Sequence, residues 1–181
     1  MFNRLKSLLV KSGYLGREMG NVNFDGALIS RSNKLAYRYD SRSPDVIKVT
    51  VFFGTMSRDI EEIRIFGPNN VFSSRTKEGA KAFLKINKFI GQEKTQYLYE
   101  INTYELQTFS FIENYKKNPI KLIQNIADLA LQGQLQGLPK EQVMLLADSA
   151  LKEQFNFVDE LHINGPICSS RIKHIATTFV K

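Results

Sequence analysis

The sequence predicts an α+β fold built around one core. Its 181 residues are 43% hydrophobic, which is enough apolar material for one core, while the length is too short for two comfortable domains. The 13 Phe and 7 Tyr favour strands. Predicted strands and helices are interspersed, without the regular alternation of a parallel α/β sheet. We therefore expect residues 31–181 to form a single domain, preceded by a lead or short helix at residues 1–30.

Alternating apolar and polar residues predict most of the strands. Residues 33–39 alternate so that Arg38 lies in a strand, on the side that also carries Ala36 and Asp40. A proline after Ser43 ends this strand, and a turn at residues 67–70 precedes the next one. The other strands are predicted at residues 71–74, 95–103, 155–158 and 171–180, and residues 104–111 are expected to be extended.

Apolar residues at helical spacing predict the helices. They are a short turn at residues 45–47 and longer segments at residues 76–89, 119–136 and 140–151. Residues 1–20 also have helical spacing, but their longest apolar run, residues 8–10, is far too short for a signal peptide core or a membrane span. We therefore expect neither a membrane span nor an N-terminal signal peptide.

Composition narrows the possible functions. A net charge of +7 favours anionic partners such as nucleotides. The basic residues alternate with acidic ones, however, and the aromatic residues alternate as core residues do, which disfavours an RNA-binding domain. The sequence has no Cys/His cluster and no glycine-rich phosphate loop, so metal, P-loop and Rossmann sites have no support. Cys168 is the only cysteine, and we interpret it as a small buried hydrophobic residue.

Residues 37–47, Tyr-Arg-Tyr-Asp-Ser-Arg-Ser-Pro-Asp-Val-Ile, carry the clearest motif of the chain. They resemble the first conserved block of the mono-ADP-ribosyltransferases related to the pertussis toxin catalytic subunit. The resemblance implies that Arg38 holds the phosphates of NAD. A guanidinium on a rigid strand suits that role, because it can bind a diphosphate through two charge-assisted hydrogen bonds. The neighbouring residues implied in the NAD site are Tyr39, Asp40, Ser41 and Arg42.

Two further segments follow in the order of that family. Residues 71–76 are similar to its Ser-Thr-Ser strand, in which the first serine, here Ser73, shapes the NAD cavity; Ser74 fills the threonine position and Arg75 replaces the last serine. Residues 97–101 resemble a strand that serves the family as a structural landmark. The resemblance implies an ADP-ribosyltransferase-like fold with two small packed, mostly antiparallel sheets, flanking helices and an NAD cleft between the sheets.

The catalytic positions come from a fourth segment. The family ends its catalytic set with Gln-x-Glu or Glu-x-Glu, and residues 154–158 fit that pattern without a gap. This register gives Gln154 the role of orienting NAD or substrate and puts Asn156 at the position of the catalytic glutamate. Glu153 is the alternative carboxylate, if a bulge shifts the strand. The carboxylate matters because it stabilises the positively charged ribose that forms as nicotinamide leaves, which a neutral amide does poorly.

The resemblance thus implies an NAD-dependent mono-ADP-ribosyltransferase, a toxin or secreted effector that releases nicotinamide and transfers ADP-ribose to a macromolecule. The expected acceptor is a protein rather than a nucleic acid, in the cytoplasm of a target cell, and a delivery or immunity partner is a further expectation. The alternative is a catalytically impaired domain of the same fold that binds NAD or a protein. Asn156 and Arg75 favour that alternative, as does the lack of the family's upstream NAD-contacting histidine, since His162 and His174 lie downstream and are interpreted as structural or surface residues.

Overall fold

The described part of the chain has an α+β fold in a computed structural model, as the sequence predicts. The structure describes residues 26–31, 34–49, 70–86, 95–132 and 135–179. The predicted helix at residues 1–20, most of the turn at 67–70 and the end of the helix predicted at 76–89 lie outside these ranges. Within them, no helix has both the length and the apolar character needed to cross a membrane.

Seven strands among the described residues form an antiparallel sheet. They are β1 Ile29–Ser30, β2 Leu35–Asp40, β3 Asn70–Ser74, β4 Thr95–Asn102, β5 Thr108–Ser110, β6 Glu160–Asn164 and β7 Ile172–Phe179. Their order across the sheet is β1-β5-β6-β3-β2-β4-β7, and every neighbouring pair is antiparallel. Strand β6, which joins β3 to β5, is not among the strands predicted from the sequence.

The middle of the sheet is a narrow junction. β2 and β3 are joined by a single residue pair, Tyr37 with Ser74, whereas β2 pairs with β4 along its whole length and β3 does the same with β6. The described strands therefore form one sheet, in place of the two separate sheets that the resemblance implies. The junction divides this sheet into one half made of β1, β5, β6 and β3 and another made of β2, β4 and β7.

In the part of the chain that the structure describes, five α-helices flank the sheet. They are α1 Pro44–Val49, α2 Lys77–Ile86, α3 Phe111–Lys117, α4 Pro119–Leu131 and α5 Lys140–Phe157, and a short 3-10 helix spans Ser169–Arg171. Three helices begin close to their predicted positions, because Pro44, Pro119 and the amphipathic pattern after Pro139 fix their starts. α4 ends at Leu131, earlier than residue 136.

Helix α3 corrects the prediction that residues 104–111 are extended. Only Thr108–Ser110 form a strand, and the helix begins at Phe111. The Ser110 hydroxyl accepts a hydrogen bond from the backbone N–H of Glu113 at 3.2 Å. A serine followed by a glutamate three residues later is the sequence signature of a helix start, so this helix was predictable from a signal that the strand interpretation overlooked.

The strand predicted at residues 155–158 is wrong. Helix α5 continues through Phe157, and the next strand, β6, begins only at Glu160. A short apolar run does not distinguish a strand from the end of a packed helix. Between the two elements Asp159 has a positive φ of 45°, which reverses the chain into β6.

Two apolar clusters form the core. One joins Phe109 of β5 to helices α4 and α5, and the other lies on the sheet around Ala36 and Tyr99 and is covered by Ile47 and Ile167. The second cluster lies on the face of β2 that carries Arg38, so this arginine projects beside a packed core. Cys168, next to Ile167, is exposed, which corrects its interpretation as a buried residue.

Candidate functional site

Three of the four segments that carry the resemblance include neighbouring strands. These segments are residues 37–47, 71–76 and 97–101. Arg38 lies in β2, with Ser73 in β3 on one side and Tyr99 in β4 on the other. Because Tyr37 pairs with Ser74 and side chains alternate along a strand, Arg38 and Ser73 share one face of the sheet. The Arg38 Nη1 donates a 2.7 Å hydrogen bond to the carbonyl oxygen of Phe72. The first segment is therefore bonded directly to the second, across the junction.

Asp40 is the centre of a charged cluster on this face. Its carboxylate accepts hydrogen bonds from the Nε and Nη2 of Arg42 at 2.9 and 2.7 Å and from the Arg42 backbone N–H at 3.0 Å. The Nε of Arg38 donates to the same carboxylate at 3.3 Å. The Asp40 side chain is only 3% exposed, while those of Arg38 and Arg42 are 14% and 17% exposed. Two guanidinium groups around one carboxylate leave this arginine cluster with a net charge of +1.

The arginines determine the protonation state of Asp40. Burial by itself would raise the pKa of this carboxyl, but the hydrogen bonds from Arg42 and the charge of Arg38 outweigh it, so the pKa lies below its usual value. The hydrogen bonds that Arg42 donates to Asp40 conversely raise the pKa of Arg42. The carboxylate thus stays ionised and holds both guanidinium groups in fixed positions.

Tyr99 fixes the backbone of the same cluster. Its hydroxyl donates a 2.7 Å hydrogen bond to the carbonyl oxygen of Arg42, and the side chain is buried. Burial, together with the negative charge of Asp40, raises the pKa of Tyr99 to about 12. The phenol therefore remains a hydrogen-bond donor well above neutral pH, which agrees with the structural role that the sequence implies for this strand.

The two serines of β3 bond to β6 and to the residues just before it. The Ser73 hydroxyl donates to the carbonyl oxygen of Leu161 at 2.8 Å, and the Ser74 hydroxyl donates to that of Val158 at 2.5 Å. Both side chains are buried. Ser73 therefore fastens β3 to β6 on the face that carries Arg38, which fits its expected role of shaping a cavity wall.

Arg75 follows these serines and has a structural role. Its guanidinium contacts the carboxylates of Glu113 and Asp159, each at 2.8 Å, and its backbone N–H donates to the carbonyl oxygen of Asp159 at 3.0 Å. These contacts tie the end of β3 to α3 and to the turn before β6. The residue that departs from the family's serine thus holds the start of β6 in place.

The predicted catalytic residues lie in the last turns of α5. Glu153, Gln154 and Asn156 all belong to this helix, and Glu153 is exposed. The structure does not bring them into the sheet beside Ser73. The strand beside β3 is instead β6, where Glu160 pairs with Ser74 and Leu161 with Ser73. The sequence Glu160-Leu161-His162 thus takes the place in the sheet that was expected for residues 154–156.

Sequence reasoning missed the polar group that β6 brings together. The His162 Nε2 lies 2.5 Å from Glu160 Oε1, and its Nδ1 lies 2.9 Å from the Asn70 side-chain nitrogen. If the Asn70 amide donates, the imidazole is neutral and its Nε2–H donates to Glu160. His162 is 2% exposed, with the rings of Phe72, Phe109 and Phe111 around it. His162 is therefore a structural residue. This is one of the two roles, structural or surface, that the sequence predicts for it.

A signal for β6 is present in the sequence. Leu161 and Ile163 alternate with polar residues over Glu160–Asn164, which is the pattern of a strand.

In the part of the chain that the structure describes, no group of His, Cys, Asp and Glu side chains could hold a metal ion. The two guanidinium groups on the Arg38 face are the groups suited to bind an anion, since the buried hydroxyls of Ser73 and Tyr99 already donate to backbone carbonyls.

Comparisons with protein-family models, with curated proteins and with solved structures found no match for this chain.

Proposed function

We propose that this protein is an NAD-dependent mono-ADP-ribosyltransferase. The observation that carries the proposal is the hydrogen bond from Arg38 to the Phe72 carbonyl, on the face where Arg38 and Ser73 lie together. Two segments that are more than thirty residues apart, and that resemble two parts of one NAD site, are thereby adjacent. Their order along the chain and their adjacency in space support the same function independently.

The arginine cluster suits the diphosphate of NAD. Its net charge is positive, and Asp40 holds both guanidinium groups in fixed geometry, so little ordering is needed when an anion binds. We propose that the NAD cleft opens at the junction between β2 and β3 and that the two halves of the sheet are the counterparts of the two sheets in that family. Ser73 on β3 and Ser41, which directly follows β2, would border the cleft, whereas Tyr39 and Ser74 lie on the opposite face of the sheet.

The proposed reaction breaks the bond between the nicotinamide nitrogen and C1′ of the ribose. Nicotinamide leaves with the bonding electron pair, and C1′ forms a new bond to a nucleophile of the acceptor, whose proton goes to water. The charge on the ribose needs a nearby carboxylate. Glu160 lies on β6, the strand next to β3, and is the first residue of Glu160-Leu161-His162, which takes the place in the sheet expected for residues 154–156. We therefore assign the carboxylate role to Glu160 in place of Glu153 and Asn156.

A second candidate function, an NAD-binding or protein-binding domain with little transferase activity, is favoured by one feature of β6. The residue directly opposite Ser73 is the apolar Leu161. Glu160 lies on the other face with Ser74 and is 7% exposed, and its carboxylate is bonded to His162. A carboxylate in that position lies on the side of the sheet away from Arg38 and Ser73, which favours the second function.

Nicotinamide release from NAD distinguishes the two candidate carboxylates. We expect Glu160→Gln to lower the rate by about 10²-fold to 10³-fold, because an amide loses the electrostatic stabilisation of the ribose cation. The exposed Glu153 is the matched control, and Glu153→Gln is expected to leave the rate within about twofold. A larger loss from Glu153→Gln would return the catalytic role to α5. NAD binding by the unaltered protein without any release of nicotinamide would favour the second function.

A further inference from the structure

Aromatic side chains form a stripe on the outer strands of the sheet. Tyr97 of β4 pairs with Thr177 of β7, and Thr95 pairs with Phe179. Directly paired residues lie on the same face, and Tyr99, which pairs with His174, lies on that face as well. The aromatic stripe therefore consists of Tyr97, His174 and Phe179.

The stripe is accessible. Phe179 is 74% exposed, His174 is exposed and Tyr97 is half-buried. A phenyl ring exposed to this extent gains nothing from the core of its own chain, and together with the exposed His174 it forms a ring-bearing surface of the kind that binds ligands. The sequence interpretation that aromatic residues in strands belong to the core holds for Tyr99, which is 1% exposed, and for Tyr97, which packs against the second core cluster, and it fails for Phe179.

The His174 ring is held in place before any ligand arrives. The register of β4 against β7 shifts between Leu98 and Tyr99, and such a bulge redirects the side chains beside it. The His174 Nε2 lies 2.9 Å from the Ala176 carbonyl oxygen and 3.1 Å from the Thr177 hydroxyl. Its ring lies 5.8 Å from those of Tyr97 and Tyr99. An ordered platform loses little side-chain entropy on binding.

Positive charge lies next to the stripe on the same face. Asp40 pairs with Tyr97 and Arg38 pairs with Tyr99 in the register of β2 and β4, so the arginine cluster, with its net charge of +1, is one strand away from the rings. The chain as a whole carries +7. Flat rings on a sheet surface close to positive charge form the arrangement that stacks unpaired bases and attracts their phosphates.

We infer that the aromatic stripe binds the unpaired bases of a single-stranded nucleic acid, which is the acceptor of ADP-ribose. The acceptor part of this inference rests on the proposed function, whereas binding of the strand does not. In the transfer, the C1′–nicotinamide bond breaks and C1′ bonds to a nitrogen or oxygen of a base near the arginine cluster, whose proton goes to water.

The test measures fluorescence anisotropy of labelled single strands of about 12 nucleotides, one of DNA and one of RNA, without NAD. We expect both His174→Ala and Phe179→Ala to weaken binding about tenfold, and the affinity to fall as salt rises. Tyr104→Ala is the matched control, because Tyr104 is 55% exposed but lies in the turn after β4, away from the stripe. It is expected to leave the affinity unchanged.

A second stage adds labelled NAD to the same mixtures and asks where the label goes. Label on the strand, reduced in the two stripe variants, would support the whole inference, and the arm that carries it identifies DNA or RNA. A duplex probe that binds as tightly as the single strands would overturn the inference. Stripe variants with unchanged affinity would also overturn it, even in a protein that releases nicotinamide. Label on protein alone would overturn the acceptor part and leave the proposed function standing. Strand binding with no nicotinamide release would instead contradict the proposed function and support the surface.

Discussion

Gly79→Ala is expected to lower the free energy of unfolding by about 3 kcal/mol, although alanine is the better helix former. Gly79 lies in the first turn of α2, where a Cβ would be 2.1 Å from the Val158 carbonyl oxygen and 2.2 Å from the Ser74 hydroxyl. Those two atoms form the hydrogen bond that ties β3 to the chain entering β6. The methyl group must therefore push α2 away from the turn that positions β6.

Urea denaturation followed by circular dichroism measures this effect. Gly137→Ala is the comparison: a Cβ there has no heavy atom within 4 Å, but the φ of +89° makes alanine cost about 1 kcal/mol. We expect the Gly79 variant to lose clearly more stability than the Gly137 variant. If Gly79→Ala were as stable as the unaltered protein or more so, helix propensity alone would govern this position, and the close contact between α2 and the β6 turn would be wrong.

Asp40→Asn is expected to destabilise the protein by about 3 kcal/mol at neutral pH. The amide has nearly the same shape as the carboxylate but removes the negative charge that lies between the guanidinium groups of Arg38 and Arg42. The folded pKa of Asp40 is lower than its usual value of 3.8. Its contribution is therefore fully present above about pH 4 and is lost as the pH falls through the folded pKa.

Unfolding curves at several pH values test this expectation. The difference between the unaltered protein and Asp40→Asn should stay constant from neutral pH down to about pH 5 and shrink below about pH 4. Asp45→Asn is the matched control, since Asp45 is 90% exposed in its ion pair with Lys48 and should change stability by less than about 0.5 kcal/mol. Equal effects of the two variants would mean that the arginine cluster is a solvated surface group.

Much of the sheet follows from alternation in the sequence. β2, β4 and β7 lie where that pattern predicts them. β3 also lies at its predicted position, but it has apolar residues on both faces, Val71 on one and Phe72 on the other, and its prediction depends on the turn signal that precedes it. The errors concern elements whose local signals compete. Residues 155–158 are apolar enough for a strand, but the apolar face of α5, with Val143, Ala147 and Ala150 buried, packs against α4 and the helix continues through Phe157.

The site was predictable in part. The resemblance implies that Arg38 lies in a strand and close to Ser73. Both expectations depend on two short motifs, residues 37–47 and 71–76. The carboxylate position was not predictable in the same way, because its register depends on where α5 ends. Asp159 and the contacts of Arg75 decide that end, and these join residues far apart in the chain.

Label transfer from NAD tests directly whether Arg38 belongs to an ADP-ribosyltransferase site. The purified protein is incubated with labelled NAD and a cell lysate, alongside Arg38→Ala and the matched control Arg31→Ala, whose arginine is exposed. We expect macromolecules to be labelled by the unaltered protein and by Arg31→Ala, and the label to be lost with Arg38→Ala. Label that persists in Arg38→Ala, or a complete absence of label from the unaltered protein, would contradict an ADP-ribosyltransferase site at Arg38.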